Sequence, residues 1–341
     1  MHGDFEERTV KEALGGEEPQ EHNRGRVAVS VVSSSNLLAK MAGVGLLVGL
    51  VVGVTSSGVS DAASAKPMVP GIPAGPTAPA TLGKAQPNGH PHPPIPPPGY
   101  TVATSGDITA PAGAQTDGAA TCPSGTVPFG GGAFVSSSSL SVNINSSIPL
   151  ENTWEVWVNN GSASGTFFDV YVTCGTQPAK YAVVQSTDIA NPSGSQSGAY
   201  AGCTTKGTVV LGGGGFSFSG DTSVNLNTSE PTGYFWFTNT NNASASNSTS
   251  VAYAVCGKKP KGYVFVEGSR YDNPVGAETN AVVTCPGVKV PLGGGINSGS
   301  EDLTVNINST YPVGSSWSSY ENNASAFDAS ATPYVICAGR K

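Results

Sequence analysis

Residues 142–149 read VNINSSIP, 224–231 read VNLNTSEP and 305–312 read VNINSTYP. The starts lie 82 and 81 residues apart, and in each segment a proline follows four residues after the second asparagine. Apolar and polar residues alternate with the two-residue period of a half-buried strand. Val142 and Ile144 are therefore expected to face a core, and Asn143 and Asn145 the opposite, wet side. The proline lacks an N–H for a ladder, so pairing is expected to end there.

Working outward, the same landmarks recur at fixed distances. Tyr100, Tyr181 and Tyr263 each precede a cysteine by 22 residues, with P-x-G at Pro111, Pro192 and Pro274 between. Glycine triplets stand at 130–132, 212–214 and 293–295, each 12 residues before the valine of the asparagine segment. Twelve residues beyond that valine come Trp154, Trp236 and Trp317, and six further Asn160, Asn242 and Asn323. A second cysteine follows 14 residues later, with Tyr171, Tyr253 or Tyr334 three before it. A fixed period of this kind marks a repeat architecture.

The six cysteines fall in pairs separated by 52, 53 and 52 residues, without C-x-x-C, and no histidine follows His92. The usual zinc arrangements are thereby absent. An even count in a chain that looks exported implies disulfides: Cys122 with Cys174, Cys203 with Cys256, and Cys285 with Cys337. The 341 residues carry only 11% charge but 45 glycines and 26 prolines, a composition of short strands and many turns rather than helices. Patterns joined by short connections such as GTQPAK and GKKPKG predict an all-β fold of three tandem, disulfide-closed, β-sandwich-like repeats of about 81 residues. Each repeat is expected to hold about six or seven strands. The alternative is a single pseudo-threefold β-prism.

The repeats are assigned to 100–180, 181–262 and 263–341. Ahead of them, residues 1–40 form a polar head and 41–65 a signal peptide or membrane anchor. The run MAGVGLLVGLVVGV (41–54) is shorter than the about 20 residues of a membrane span and is followed by Ala63-Ser64-Ala65, a cleavage signature. Translation beginning nearer Val27 or Met41, or an uncleaved anchor, would account for the long head. Residues 66–99 are a Pro-rich linker expected to be extended polyproline II. His90 and His92 belong to that linker, and no metal or cofactor is expected. A net charge of −7 without an offsetting basic cluster excludes nucleic acid as a partner. Lys258, Lys259 and Lys261 read as a solvated connection. Contact with a membrane is expected only through the N-terminal apolar segment.

Gly-rich turns cradle phosphate when a helix N-terminus follows. Here strand-like AFVSSSS and GFSFSG follow, so the triplets are read as bulges or close backbone crossings. The recurring tryptophans, in TWEVWV and YFWFTN, are expected to pack on the disulfides. Trp157 and Tyr320 occupy one aligned position where the second repeat has Asn239. As outward rings they suit stacking on sugars, with Asn143, Asn225 and Asn306 offering amide hydrogen bonds. The repeat region contains no histidine, which excludes Ser-His-Asp and Cys-His catalysis there. No carboxylate recurs in all three copies: Asp107 and Asp188 align with Arg270, and Asp221 and Asp302 with Ser139. Catalysis is not expected.

The order CPSG, CTTKG or CPG, then GGG, then the Trp strand, then VYVTCG, AYAVCG or PYVICA resembles a repeat of secreted actinobacterial proteins with CPAG-like starts and VYAVCA-like ends. The resemblance spans about 240 residues, from Tyr100 to the end, and its motifs are structural; it implies no active site. A fainter likeness is to the vitelline membrane outer layer protein, a β-prism with three C-P-x-G…C repeats. The units here are longer and lack its D-D-T-A-L-N-G stretch. The chain is accordingly expected to be an exported or cell-surface, non-catalytic protein with a structural or adhesive role. A multivalent carbohydrate-binding module, with cell-wall or environmental glycan as partner, is the alternative, and a glycan-acting enzyme the third reading. Sequons such as Asn145 and Asn308 are set aside as glycan acceptors.

Overall fold

The computed structural model describes residues 95–339. The polar head, the signal peptide or anchor with its cleavage signature, and the linker up to residue 94 lie outside the described residues. The first repeat contributes β1 (Thr101–Thr104), β2 (Ile108–Ala110), β3 (Ala114–Thr121), β4 (Val127–Val135), β5 (Val142–Leu150), β6 (Thr153–Asn160) and β7 (Thr166–Gly175). The second contributes β8 (Ala182–Gln185), β9 (Ile189–Asn191), β10 (Ser195–Gly202), β11 (Thr208–Ser217), β12 (Val224–Thr232), β13 (Phe235–Asn242) and β14 (Ser248–Lys258). The third contributes β15 (Val264–Glu267), β16 (Tyr271–Asn273), β17 (Glu278–Thr284), β18 (Val290–Ser298), β19 (Val305–Val313), β20 (Ser316–Asn323) and β21 (Ala329–Ala338). The fold is all-β, and each repeat has the same seven strands.

Within a repeat the strands divide into a half-sheet of four and a half-sheet of three, bridged by the disulfide. Cys122 at the end of β3 is bonded to Cys174 on β7, Cys203 to Cys256 and Cys285 to Cys337. The alternation seen in the sequence fixes what lies between the halves. Trp154, Val156 and Val158 of β6 and Phe168, Val170, Val172 and Cys174 of β7 are all fully buried. The expectation that a tryptophan packs with the disulfide holds: Trp317 shares one buried cluster with Cys285, Cys337, Val283 and Val335.

The half-sheets do not stop at the repeat boundary. Sheet I runs β1-β7-β4-β19-β20-β17, sheet II β3-β6-β5-β11-β14-β8, and sheet III β10-β13-β12-β18-β21-β15. Every sheet thus joins the three-strand half of one repeat to the four-strand half of the next, and the third repeat returns to the first. Sandwich-like repeats are present, and they are assembled in the cyclic manner of the pseudo-threefold alternative. The joints are brief: Ser147 pairs with Gly215, Ser229 with Ile296, and Thr310 with Ala133.

The glycine triplet makes this closure sterically feasible, each glycine in a different way. A Cβ on Gly130, Gly212 or Gly293 would fall 2.6–2.8 Å from the Cα of an equivalent glycine, so the three backbones touch around the pseudo-axis. On Gly131, Gly213 and Gly294 it would strike the Trp154, Trp236 and Trp317 rings at 2.4, 2.4 and 2.5 Å. On Gly132, Gly214 and Gly295 it would meet a backbone carbonyl oxygen of the neighbouring repeat at 1.9, 1.8 and 1.9 Å. A bulge precedes each triplet, at Pro128/Gly130, Val210/Gly212 and Pro291/Gly293. The expected close crossing and the expected bulge are both present.

The prolines correct one expectation. Pro149 remains paired with Trp154, and β5 continues to Leu150 before its hairpin turn. The joint with β11 is confined to Ser147, so the proline interrupts no ladder on that edge.

A second cyclic stitch comes from the tyrosine that opens each repeat. The hydroxyls of Tyr100, Tyr181 and Tyr263 donate to the carbonyls of Pro291, Pro128 and Val210, at 2.8, 2.8 and 2.9 Å. Each bond reaches the preceding repeat in the cycle. Burial raises all three phenols, Tyr263 to about 12.

Gly214→Ala should lower stability by about 3 kcal/mol or more, because a methyl group has no space beside the Ser147 carbonyl. Gly220→Ala, where nothing lies within 4 Å, should change it by under about 0.5 kcal/mol. Chemical denaturation of the two variants checks both.

Candidate functional site

The asparagine pairs are not on a wet face. Asn143 and Asn145 are 3% and 1% exposed, and their counterparts are equally buried. The second asparagine of each pair is the extra residue of a β-bulge, as the register shift between Ile144 and Ser146 records. Its amide turns sideways into the next repeat. Asn145 Nδ2 donates to the Val224 carbonyl at 2.7 Å, and Asn159 Nδ2 donates to the same oxygen at 2.9 Å. Asn227 and Asn241 do the same for Val305, and Asn308 and Asn322 for Val142. The first asparagine of each pair accepts: Asn143 from Asn159, Asn225 from Asn241, Asn306 from Asn322, at 2.9–3.0 Å.

The hydroxyl residue after each pair completes the joint. Ser146 Oγ donates to Asn145 Oδ1 and accepts the N–H of Ser217 from the next repeat. Thr228 and Ser309 repeat the relay toward Ser298 and Val135. The proposal of Asn143, Asn225 and Asn306 as ligand contacts is therefore corrected: their amides are buried and engaged inside the protein. The same burial covers Asn145 and Asn308 of the sequons.

Trp157 and Tyr320 do point away from the disulfide side, yet neither is a free ring. Both are half-buried at a joint between repeats. Trp157 meets Phe216 edge-on at 5.1 Å, over Ile148 and Val251. Tyr320 stands beside Tyr311, whose ring lies 5.2 Å from Tyr171 and 5.4 Å from Phe134. Burial, with Tyr320 and Tyr171 adjacent, pushes Tyr311 to about 12. On sheet III the corresponding place is polar: Asn297 Nδ2 donates to Glu230 Oε1 at 2.7 Å. The outer joints thus differ in chemistry although the backbone repeats. Their aromatic rings hold neighbouring repeats together, so Trp157 and Tyr320 are not the free stacking rings expected from the sequence.

An exposed aromatic surface lies elsewhere, on the second repeat. β10 is an edge strand, and its Tyr200, opposite Phe237 on β13, is 57% exposed. The two rings stack with centroids 4.4 Å apart and planes 28° from parallel. Phe235, 45% exposed, lies over Gly202, and Phe237 over Gly198. Tyr234, 68% exposed, extends the strip into the hairpin turn. The two glycines let the rings lie flat along the strand. The first repeat pairs Ala119 with Glu155 and Thr121 with Thr153 at these positions; the third pairs Val282 with Ser318 and Thr284 with Ser316. Only the second repeat has this strip. Its signal was in the sequence: in Y-F-W-F the two-residue period that sends Trp236 inward sends Phe235 and Phe237 outward.

No protein-family model and no curated protein matches the sequence.

One buried carboxyl sets a pH dependence. Glu321 is fully buried where the other repeats have Val158 and Thr240. Asn273 Nδ2 donates to its Oε2 at 2.8 Å, while Oε1 has no partner within the protein. Burial raises it to about 7, against the opposing hydrogen bonds of Asn273 and Ser298. A carboxyl that is neutral when folded and ionised when unfolded contributes stability below its unfolded value, lost as pH rises through its folded one. Stability should fall between about pH 4.3 and 7 by on the order of 3 kcal/mol from this group. Glu321→Gln should flatten that decline, as urea denaturation at pH 5 and pH 8 would measure.

Proposed function

We propose that this is an exported, surface-presented β-repeat protein that is structural or adhesive, binds polysaccharide through the Tyr200–Phe235–Phe237 strip, and catalyses nothing. The observation carrying the reading is that strip: three large rings, two of them widely exposed, laid flat on one edge of a sheet. Burying such rings against water would itself be favourable, so leaving them exposed is the informative feature. Flat aromatic faces suit the apolar faces of sugar rings, and a pre-formed strip requires little ordering on binding.

Three disulfides place the chain in an oxidising environment. The apolar segment and the Pro-rich linker support export and a spacer role. The resemblance to secreted repeat proteins points the same way. Because the strip occurs in one repeat of three, the reading favours one principal site per chain over threefold avidity from identical sites. The absence of histidine beyond His92 and of any recurring carboxylate supports a non-catalytic role.

The test is retention on insoluble polysaccharides (cellulose, chitin and isolated cell wall) with the full chain. Tyr200→Ala/Phe235→Ala should weaken retention about tenfold or more, at about 1 kcal/mol per ring, with the thermal midpoint little changed. Equal retention of the double variant would remove the strip from the function. Retention on none of the polymers would leave the structural role alone.

A further inference from the structure

One cavity of about 430 Å³ opens near the point where the described chain begins, and it is independent of the polysaccharide surface. Its size falls within the roughly 300–1,000 Å³ usual for small-molecule sites. Three equivalent residues, Phe129, Leu211 and Leu292, each just before a glycine triplet, form the buried base. The wall comes from three equivalent connections, Pro96–Pro98, Pro178 and Pro260. Proline supplies apolar surface on a stiff backbone, so the opening is pre-organised.

The mouth is chemically one-sided. Lys258, Lys259 and Lys261 line it, all exposed, and among the described residues no carboxylate does. The equivalent connections, residues 95–99 and 176–180, read IPPPG and TQPAK. In a chain of net charge −7, three cations beside one apolar cavity are a local inversion of sign. Lys259 also lies over the Tyr263 ring, at 5.4 Å. The lysine run, read in the sequence as a solvated connection, thus borders this apolar recess.

We propose that this cavity binds a single-chain amphiphilic anion, with the tail against Phe129, Leu211 and Leu292 and the head group at Lys258, Lys259 and Lys261. Two features select this occupant. The volume and apolar wall fit an alkyl chain, and the cations at the rim fit its carboxylate or phosphate. A sugar would find Thr176 and Gln177 as the uncharged polar side chains of an otherwise mostly apolar lining, and a neutral lipid would make no use of the lysines.

Titration of the full chain with dodecanoate, and separately with dodecanol, tests this by displacement of a fluorescent amphiphile. One saturable dodecanoate site is expected. Replacing the three lysines by alanine should weaken dodecanoate about tenfold and leave dodecanol unchanged. Ala179→Trp, at an exposed position lining the cavity, should block both without touching the core. Failure of dodecanoate to bind, or binding equal in the parent, the lysine variant and Ala179→Trp, would overturn the proposal. Dodecanoate weakened by Ala179→Trp but not by the lysine changes would overturn its choice of an anion.

Discussion

A backbone carbonyl that is buried must find a donor, or it costs a large fraction of a domain's stability. Three such carbonyls, of Val142, Val224 and Val305, sit where one repeat meets the next. Each receives two asparagine amides from its neighbour. The other features depend on that arrangement. The bulge aims the second asparagine, the following Ser or Thr satisfies its oxygen, and the glycines let the backbones approach closely enough for the bonds to form. The network is polar, yet nearly every member is paired, which is the condition under which a buried polar network favours a unique structure. The exception is Asn322 Oδ1, without a partner because Glu278, a carboxyl with no amide N–H, stands where Gln115 and Gln196 donate in the other repeats.

This division of labour separates framework from surface. Residues that recur in all three repeats close the cycle or fill the sandwiches. Residues that differ between repeats are the ones free to specialise. Sheet I carries tyrosines at its outer joint, sheet II a Trp–Phe cluster, and sheet III a carboxylate bonded to an amide. The exposed aromatic strip belongs to the second repeat alone, and the lysines at the cavity mouth come from the connection into the third. A threefold scaffold of this kind offers three versions of each surface position, and the proposed binding surfaces draw on their differences.

The sequence disclosed the framework more fully than the surface. Cysteine spacing gave the correct pairs, the two-residue alternation placed Val142, Ile144 and Trp154 inside, and the strand-like residues after the triplets identified close crossings. The asparagines were misplaced for a definite reason. Alternation tells which side of a strand a residue occupies, not whether a distant strand covers that side. The cover for Asn145 comes from residues 79 positions away, through pairing that no local pattern encodes. The same limit misled the reading of Trp157 and Tyr320, whose outward direction was right and whose covering partners belong to other repeats. Phe235 and Phe237 were legible by alternation. They occur once, so the repeat pattern does not mark them.

Asn308 closes the cycle, since its amide links the third repeat back to Val142 in the first across 166 residues. Native-state hydrogen exchange of Asn308→Ala, followed in all three sheets, therefore tests most directly whether the repeats form one body. If they do, slowly exchanging amides in β5, β12 and β19 should lose protection together, by a common free energy of about 2 kcal/mol, in a single cooperative transition. Loss confined to the joint between β4 and β19, with sheets II and III as protected as before, would mean that the repeats are independent sandwiches that merely touch.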